Sequence, residues 1–372
     1  MTRDFKFVVI SLFAWGLGEG MFMYFQPLYL EELGASPLSI GAILGIVGVT
    51  MTVVHIPAGY LADRIGRRKL VWAGWLTGIL TTGIMAAARS LAVFSIGIIL
   101  YAVTLFVLAP LNSYVTAARG NLSVKRAMTT IAAAFSLGAV MGPLAGGWIA
   151  GNLGLRSIYF FAFGVFIISG TLILQIKSQT PEKDLDNPPG ELLKNRNFLI
   201  LMPLIFMVFF AMFFPQPLAP IFLKNQRAIS LQTIGVLGSI TSIGNVLLNL
   251  FFGYLPTQIG LVLGQIFVGM FAALIWQTTQ MPLLVAAYFL YGGYRATRSL
   301  LIAQVEKIVK KANLGLAYGI TETVSGLALA AAPPLAGILY SKNPELIFST
   351  TLLLLIPSLL MTILRRKMPW NT

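Results

Sequence analysis

GYLADRIGRRK, residues 59–69, places five charges at the junction of two apolar runs, residues 38–62 and 70–88. Each run can cross a hydrocarbon core about 30 Å thick, which takes about 20 residues of helix. A short, basic connection between two such runs belongs in water at one face of a bilayer. The same alternation of apolar runs and brief polar breaks fills all 372 residues. Hydrophobic residues make up 57% of the chain and charged residues 10%, against roughly 25% charged in a soluble domain. A water-facing surface cannot be built from so few charges. The chain reads as an all-α polytopic membrane protein.

The breaks, marked by charge, Gly, Pro and Asn, delimit twelve spans: 6–31, 38–62, 70–88, 91–117, 127–150, 155–176, 198–222, 231–255, 259–279, 282–304, 314–340 and 345–364. About ten residues then remain for each tail and loop, too few for a soluble catalytic domain. The first run contains Glu19 and lacks a small-residue cleavage site, so it is read as a retained span rather than a removed signal peptide. With the N-terminus inside, the inner segments hold nineteen Lys and Arg and the outer segments five. That asymmetry predicts both termini on the cytoplasmic side. The net charge of +14 is spread between apolar runs rather than along one soluble face, which argues against a nucleic-acid partner.

One longer polar stretch, SQTPEKDLDNPPGELLKNR, lies near the chain midpoint and reads as a linker. It separates a first six-helix bundle, residues 1–177, from a second, residues 197–372, with 178–196 between them. The two halves repeat. Gln26-Pro27-Leu28 recurs as Gln216-Pro217-Leu218, and Gly59-Tyr60-Leu61 as Gly253-Tyr254-Leu255. Pro143-Leu144-Ala145-Gly146 recurs as Pro334-Leu335-Ala336-Gly337, each pair about 190 positions apart. An even number of spans per half gives both halves one orientation, a parallel repeat about the membrane normal.

The opening stretch resembles the signature loop of the major facilitator superfamily, G-x-x-x-D-R-x-G-R-R. All six fixed positions match: Gly59, Asp63, Arg64, Gly66, Arg67 and Arg68. The resemblance implies twelve helices in two six-helix bundles and a cytoplasmic gate at this loop. Physically, Gly59 allows close approach of a neighbouring helix, and Asp63 suits the positive end of another helix. The repeat copy, GYLPTQIG, has no charge, so a charged latch here is one-sided. A second stretch, Gly138 to Gly147, looks like the G-x-x-x-G-P-x-x-G-G pattern of antiporters in that superfamily. Gly138, Gly142 and Gly146 form a smooth stripe for helix packing, with Gly147 beside it and a kink expected at Pro143. The Arg-x-x-Gln-Gly element that many proton-coupled drug exporters of the family carry in span 4 is absent.

A charge in mid-membrane costs at least ~2.5–3.5 kcal/mol on insertion scales, so each one faces an interior and has a partner or a task. Glu19, Arg295, Arg298 and Glu322 are such charges, and Glu19 and Glu322 are the candidates for proton coupling. Desolvation makes a carboxyl hold its proton and a nearby cation makes it let go, which suits exchange in a cavity that alternates between sides. Glu322 with Arg295 or Arg298 is equally a structural ion pair. The resemblance implies that spans 1, 4, 7 and 10 line a central cavity. Phe22, Gln26, Asn112, Gln216, Tyr288, Tyr291, Arg295 and Arg298 are the residues expected to face it. A cavity rich in aromatics with few polar groups suits a lipophilic or amphipathic solute.

The expected function is secondary active transport of a small hydrophobic or amphipathic solute by alternating access, as a proton-coupled exporter. The alternatives are an organic-anion carrier using Arg295 and Arg298, and a non-transporting membrane sensor. No catalytic residue, cofactor or metal is expected: there is no Cys, His55 is the single His, and neither His-Glu-x-x-His nor a phosphate-binding loop occurs. The expected partners are a small-molecule substrate, protons and lipid. The chain is expected to act as a monomer in a prokaryotic plasma (inner) membrane.

Overall fold

The computed structural model describes residues 2–178, 192, 195–309 and 314–364, with no strand among them. Side chains of residues 55–65 lie outside that description, so the placement of His55, Gly59, Asp63 and Arg64 does too. The helices are α1 (Arg3–Met23), α2 (Gln26–Glu32), α3 (Pro37–Ile65), α4 (Arg67–Ala87), α5 (Leu91–Ala102), α6 (Leu108–Ala118), α7 (Val124–Leu153) and α8 (Leu155–Ile173). They continue as α9 (Arg196–Phe213), α10 (Ala219–Arg227), α11 (Leu231–Gly253), α12 (Thr257–Gln277), α13 (Met281–Tyr291), α14 (Gly293–Ile308), α15 (Leu314–Lys342) and α16 (Leu346–Leu364).

Ten of these helices are long and apolar enough to cross a bilayer, each over one expected span. The fourth and tenth spans are broken instead. In the fourth, a 3₁₀ turn, Val103–Val107, separates α5 from α6, and the axis bends by 40°. Pro110 follows within a turn, has no N–H to give back, and crowds the carbonyl four residues earlier. In the tenth, a break at Gly292 separates α13 from α14. The 11 residues of α13 are too few to span, and α14 carries Arg295, Arg298 and Lys307. Spans 1 and 7 are also broken, ahead of Pro27 and across Pro215 and Pro217, where α1 gives way to α2 and α9 to α10.

By packing, the chain forms two compact units. The first holds Met1–Ala35, Thr50–Asp184 and Ala228–Ser239; the second holds Ser36–Val49, Leu185–Arg227 and Ile240–Thr372. In the first, α1 and α7 touch backbone to backbone. A Cβ on Gly142 would lie 2.5 Å from the Leu17 carbonyl oxygen and 2.6 Å from the Gly20 Cα, and one on Gly138 or Gly146 would collide with the Phe13 or Met21 carbonyl. Gly147 and Pro143 meet Gly235 at the start of α11. In the second unit, Gly41, Gly45 and Gly337 bring the start of α3 against Pro333 and Pro334 of α15 in the same way. The repeated Pro-Leu-Ala-Gly thus makes the same kind of contact in both units.

Lipid offers no hydrogen bonds, and in each unit buried polar side chains pair across helices. In the first unit, the Ser11 and Ser169 hydroxyls lie 2.8 Å apart, and Trp75 Nε1 donates to Ser169 Oγ at 2.9 Å, tying α1, α4 and α8. In the second, Gln265 Nε2 donates to Thr362 Oγ1 at 2.9 Å and Ser358 Oγ donates to Gln265 Oε1 at 2.7 Å, tying α12 to α16.

The chain is fastened at Lys177 and again at Asn195. Asp4 is buried, and its Oδ2 accepts from the Lys177 backbone N–H at 2.9 Å and lies 3.2 Å from the Tyr114 hydroxyl. Asn195 caps α9 by accepting from the Phe198 N–H at 3.1 Å, and its Nδ2 donates to the Ile308 carbonyl at 2.8 Å.

Candidate functional site: charges within the spans

Glu19 sits about one turn before the C-terminal end of α1, between two glycines that clear space for neighbours. A Cβ on Gly18 would meet the Phe166 ring at 2.6 Å, and one on Gly20 the Gly142 backbone at 3.1 Å. The bare backbone on either side lets α8 and α7 close around the carboxylate. Its Oε2 accepts two hydrogen bonds, from Trp15 Nε1 at 3.0 Å and from the Tyr101 hydroxyl at 2.8 Å. The donors belong to an aromatic cluster. Trp15 lies 4.6 Å from Phe166 and 4.8 Å from Trp75, and Phe22 lies 5.2 Å from Tyr101, centroid to centroid. Among the described residues nothing donates to Oε1. The half-buried carboxylate therefore has one oxygen held in place by two donors and one with no donor among the described residues.

Phe22 and Gln26, the other residues of that helix face, are both buried; Phe22 is packed into the aromatic cluster. Asn112 is exposed on α6 and Gln216 is half-buried at the break between α9 and α10. Thr104, at the repeat position of Arg295, is buried and donates to the Tyr101 carbonyl at 2.7 Å.

In the second unit the expected stripe of span 10 divides at Gly292. Tyr288 and Tyr291 turn inward against Phe271 of α12, at 5.2 and 4.4 Å. Arg298 pairs with Glu322 of α15, so the structure joins two charges that the sequence left open. Arg295 is exposed. Beside it, Tyr294 packs edge-on against Phe209 at 5.9 Å and tilted against Phe213 at 6.0 Å. Asn249 of α11 donates to Ser299 Oγ at 3.3 Å, one turn along from Arg295.

At the signature loop, α3 runs to Ile65 and Gly66 turns the chain with φ +92°, a left-handed value that favours glycine, into α4. Arg68 lies 3.9 Å over the Trp72 ring, and Trp72 Nε1 donates to the Ile173 carbonyl at 3.0 Å. Among the described residues no group of three His, Cys, Asp or Glu could hold a metal.

Sequence reasoning missed five participants. Trp15 was findable, since it stands four residues before Glu19 on the same helix face. Tyr101 and the Asp4–Tyr114 pair join residues far apart in the chain, and no local pattern marks them. Ser299 is likewise marked only by its neighbour on another helix.

Ten long apolar helices, with charged side chains on some of the spans, define a multi-pass membrane protein. The chain belongs to the Major Facilitator Superfamily, which it matches over residues 8–221 and again over residues 201–371. It is a transporter of that superfamily. It is 24% identical over 361 residues to Multidrug resistance protein 2 of Bacillus subtilis (strain 168), covering 91% of this chain and 89% of that protein. The fold is shared with a point mutant of the nucleoside transporter NupG at a TM-score of 0.80, with 16% identity and 98% of each chain covered. It is also shared with a bacterial homologue of the human lysosomal transporter Spinster at 0.76, with 15% identity, covering 98% of this chain and 96% of that one.

Proposed function

We propose that the protein is a proton-coupled exporter of a small hydrophobic or amphipathic solute in a prokaryotic plasma membrane. The observation that carries this reading is Glu19: an acid in a membrane span, fixed through one oxygen by Trp15 and Tyr101, inside an aromatic cluster. A carboxylate so held can exchange a proton without moving its backbone, and the surrounding rings suit a lipophilic solute or a cation. The multidrug-resistance name of the Bacillus relative supports export. In this reading the halves, 1–177 and 197–372, rock about the site, with both termini inside, the linker 178–196 between them, and a single chain as the working unit. The signature loop from Gly59 to Arg68 serves as the cytoplasmic gate.

The test is flux of a lipophilic dye in proteoliposomes with and without an imposed pH gradient. The wild-type protein should move dye only when the gradient is present, and Glu19→Gln should bind dye yet lose the gradient dependence. Equal gradient-driven flux in wild type and Glu19→Gln would remove Glu19 from the coupling. A second reading, a carrier of organic anions, is favoured by one observation, the exposed guanidinium of Arg295.

A further inference from the structure

We infer that Arg295 alone is an anion-docking point in the second unit, for a carboxylate or similar monoanionic group attached to an aromatic or lipophilic body. Arg298 belongs to the scaffold. The inference rests on reading the chain as a carrier of lipophilic solutes, and it adds a charge preference to that reading.

The two arginines stand three residues apart on α14, and the structure treats them differently. Arg298 is committed to Glu322, an acid on the adjacent helix α15. Its guanidinium already holds a carboxylate, which a passing solute would have to displace. Arg295 is exposed, although it lies within a membrane span, and among the described residues it has no acidic partner. A bare guanidinium in contact with lipid tails is costly, so an exposed one within a span marks a wet surface. Its surroundings are those of a recognition site rather than a loop. The Asn249–Ser299 pair supplies polar atoms one turn along, and half-buried Phe213 of α9 packs against Tyr294, the residue before Arg295. A guanidinium fork fits a carboxylate through two parallel N–H donors, and an aromatic ring such as that of Phe213 suits an apolar remainder. Position also counts. Arg295 falls just after the Gly292 break, and interrupted helices are where carriers build sites at mid-membrane.

The experiment compares 2-naphthoate with 2-naphthamide, which share a ring system and differ in charge, by isothermal titration calorimetry on the purified full-length chain at neutral pH. The wild-type protein should bind the acid about tenfold or more tightly than the amide, the effect of one charge-assisted contact. Arg295→Gln should erase that preference, Arg295→Lys should keep part of it, and the double variant Arg298→Gln/Glu322→Gln should keep it in full. Should Arg295→Gln not fold, loss of the preference in Arg295→Lys with rising NaCl supplies the same evidence. No preference in the wild type, absence of binding included, overturns the inference. So does a preference that survives Arg295→Gln or disappears in the double variant. Proton coupling is read from gradient-driven flux and the anion site from the acid-over-amide ratio, so failure of the one is distinguished from failure of the other.

Discussion

Single side chains in this protein do their structural work by holding backbone that is far away in sequence. Asp4 is the clearest case, because its carboxylate accepts from the Lys177 N–H, 173 residues on, with Tyr114 beside it. Removing a buried acceptor leaves its donors unsatisfied, at about 1–3 kcal/mol. Asp4→Ala should lower thermal stability by that order, and the Lys177 amide should exchange its hydrogen faster, as read by mass spectrometry. An unchanged Lys177 exchange rate would show the contact to be incidental. Charges such as Glu19, Arg295, Arg298 and Glu322 were legible at this scale, since any ionisable residue in a long apolar run stands out. Their partners were not. Trp15 aside, each partner comes from another helix, and nothing local separates Tyr101 from the other tyrosines or Glu322 as the mate of Arg298 rather than Arg295.

At the scale of elements, helix positions followed from hydropathy and punctuation, and most expected spans coincide with one helix within a few residues. The exceptions are the interruptions at Val103–Val107 and Gly292 and the breaks ahead of α2 and α10. A proline or glycine within an apolar run is tolerated in membrane helices, so its presence does not say whether the helix bends, tightens or breaks. Neighbouring helices settle that. The α1–α7 contact shows the opposite situation, in which sequence and structure speak together: the small residues at Gly138, Gly142 and Gly146 stand where the two backbones meet. A side chain at Gly142 has no room, and overpacking of this kind costs about 1–3 kcal/mol or more. Gly142→Leu should therefore destabilise the detergent-solubilised protein strongly, while Gly164→Leu, where a Cβ meets nothing within 4 Å, should be tolerated. Equal melting temperatures for the two variants would refute the backbone contact.

For the whole molecule, the sequence repeat was readable because its fragments recur in order at nearly one offset. Its use was not, because the fragments say nothing about which helices they face. The packing units make that visible: Ser36–Val49 packs with the second unit and Ala228–Ser239 with the first. That reciprocal lending has a consequence for a chain severed in two. Polypeptides ending and starting inside the linker would each lack one short piece of a packing unit, and each would carry the piece its counterpart lacks. The Asp4 and Asn195 fastenings lie on either side of such a cut and would survive it. Fragments 1–186 and 187–372, co-expressed with an affinity tag on one of them, should elute together from detergent in equal amounts. Elution of the tagged fragment by itself would mean that covalent continuity, rather than mutual completion, keeps the molecule whole.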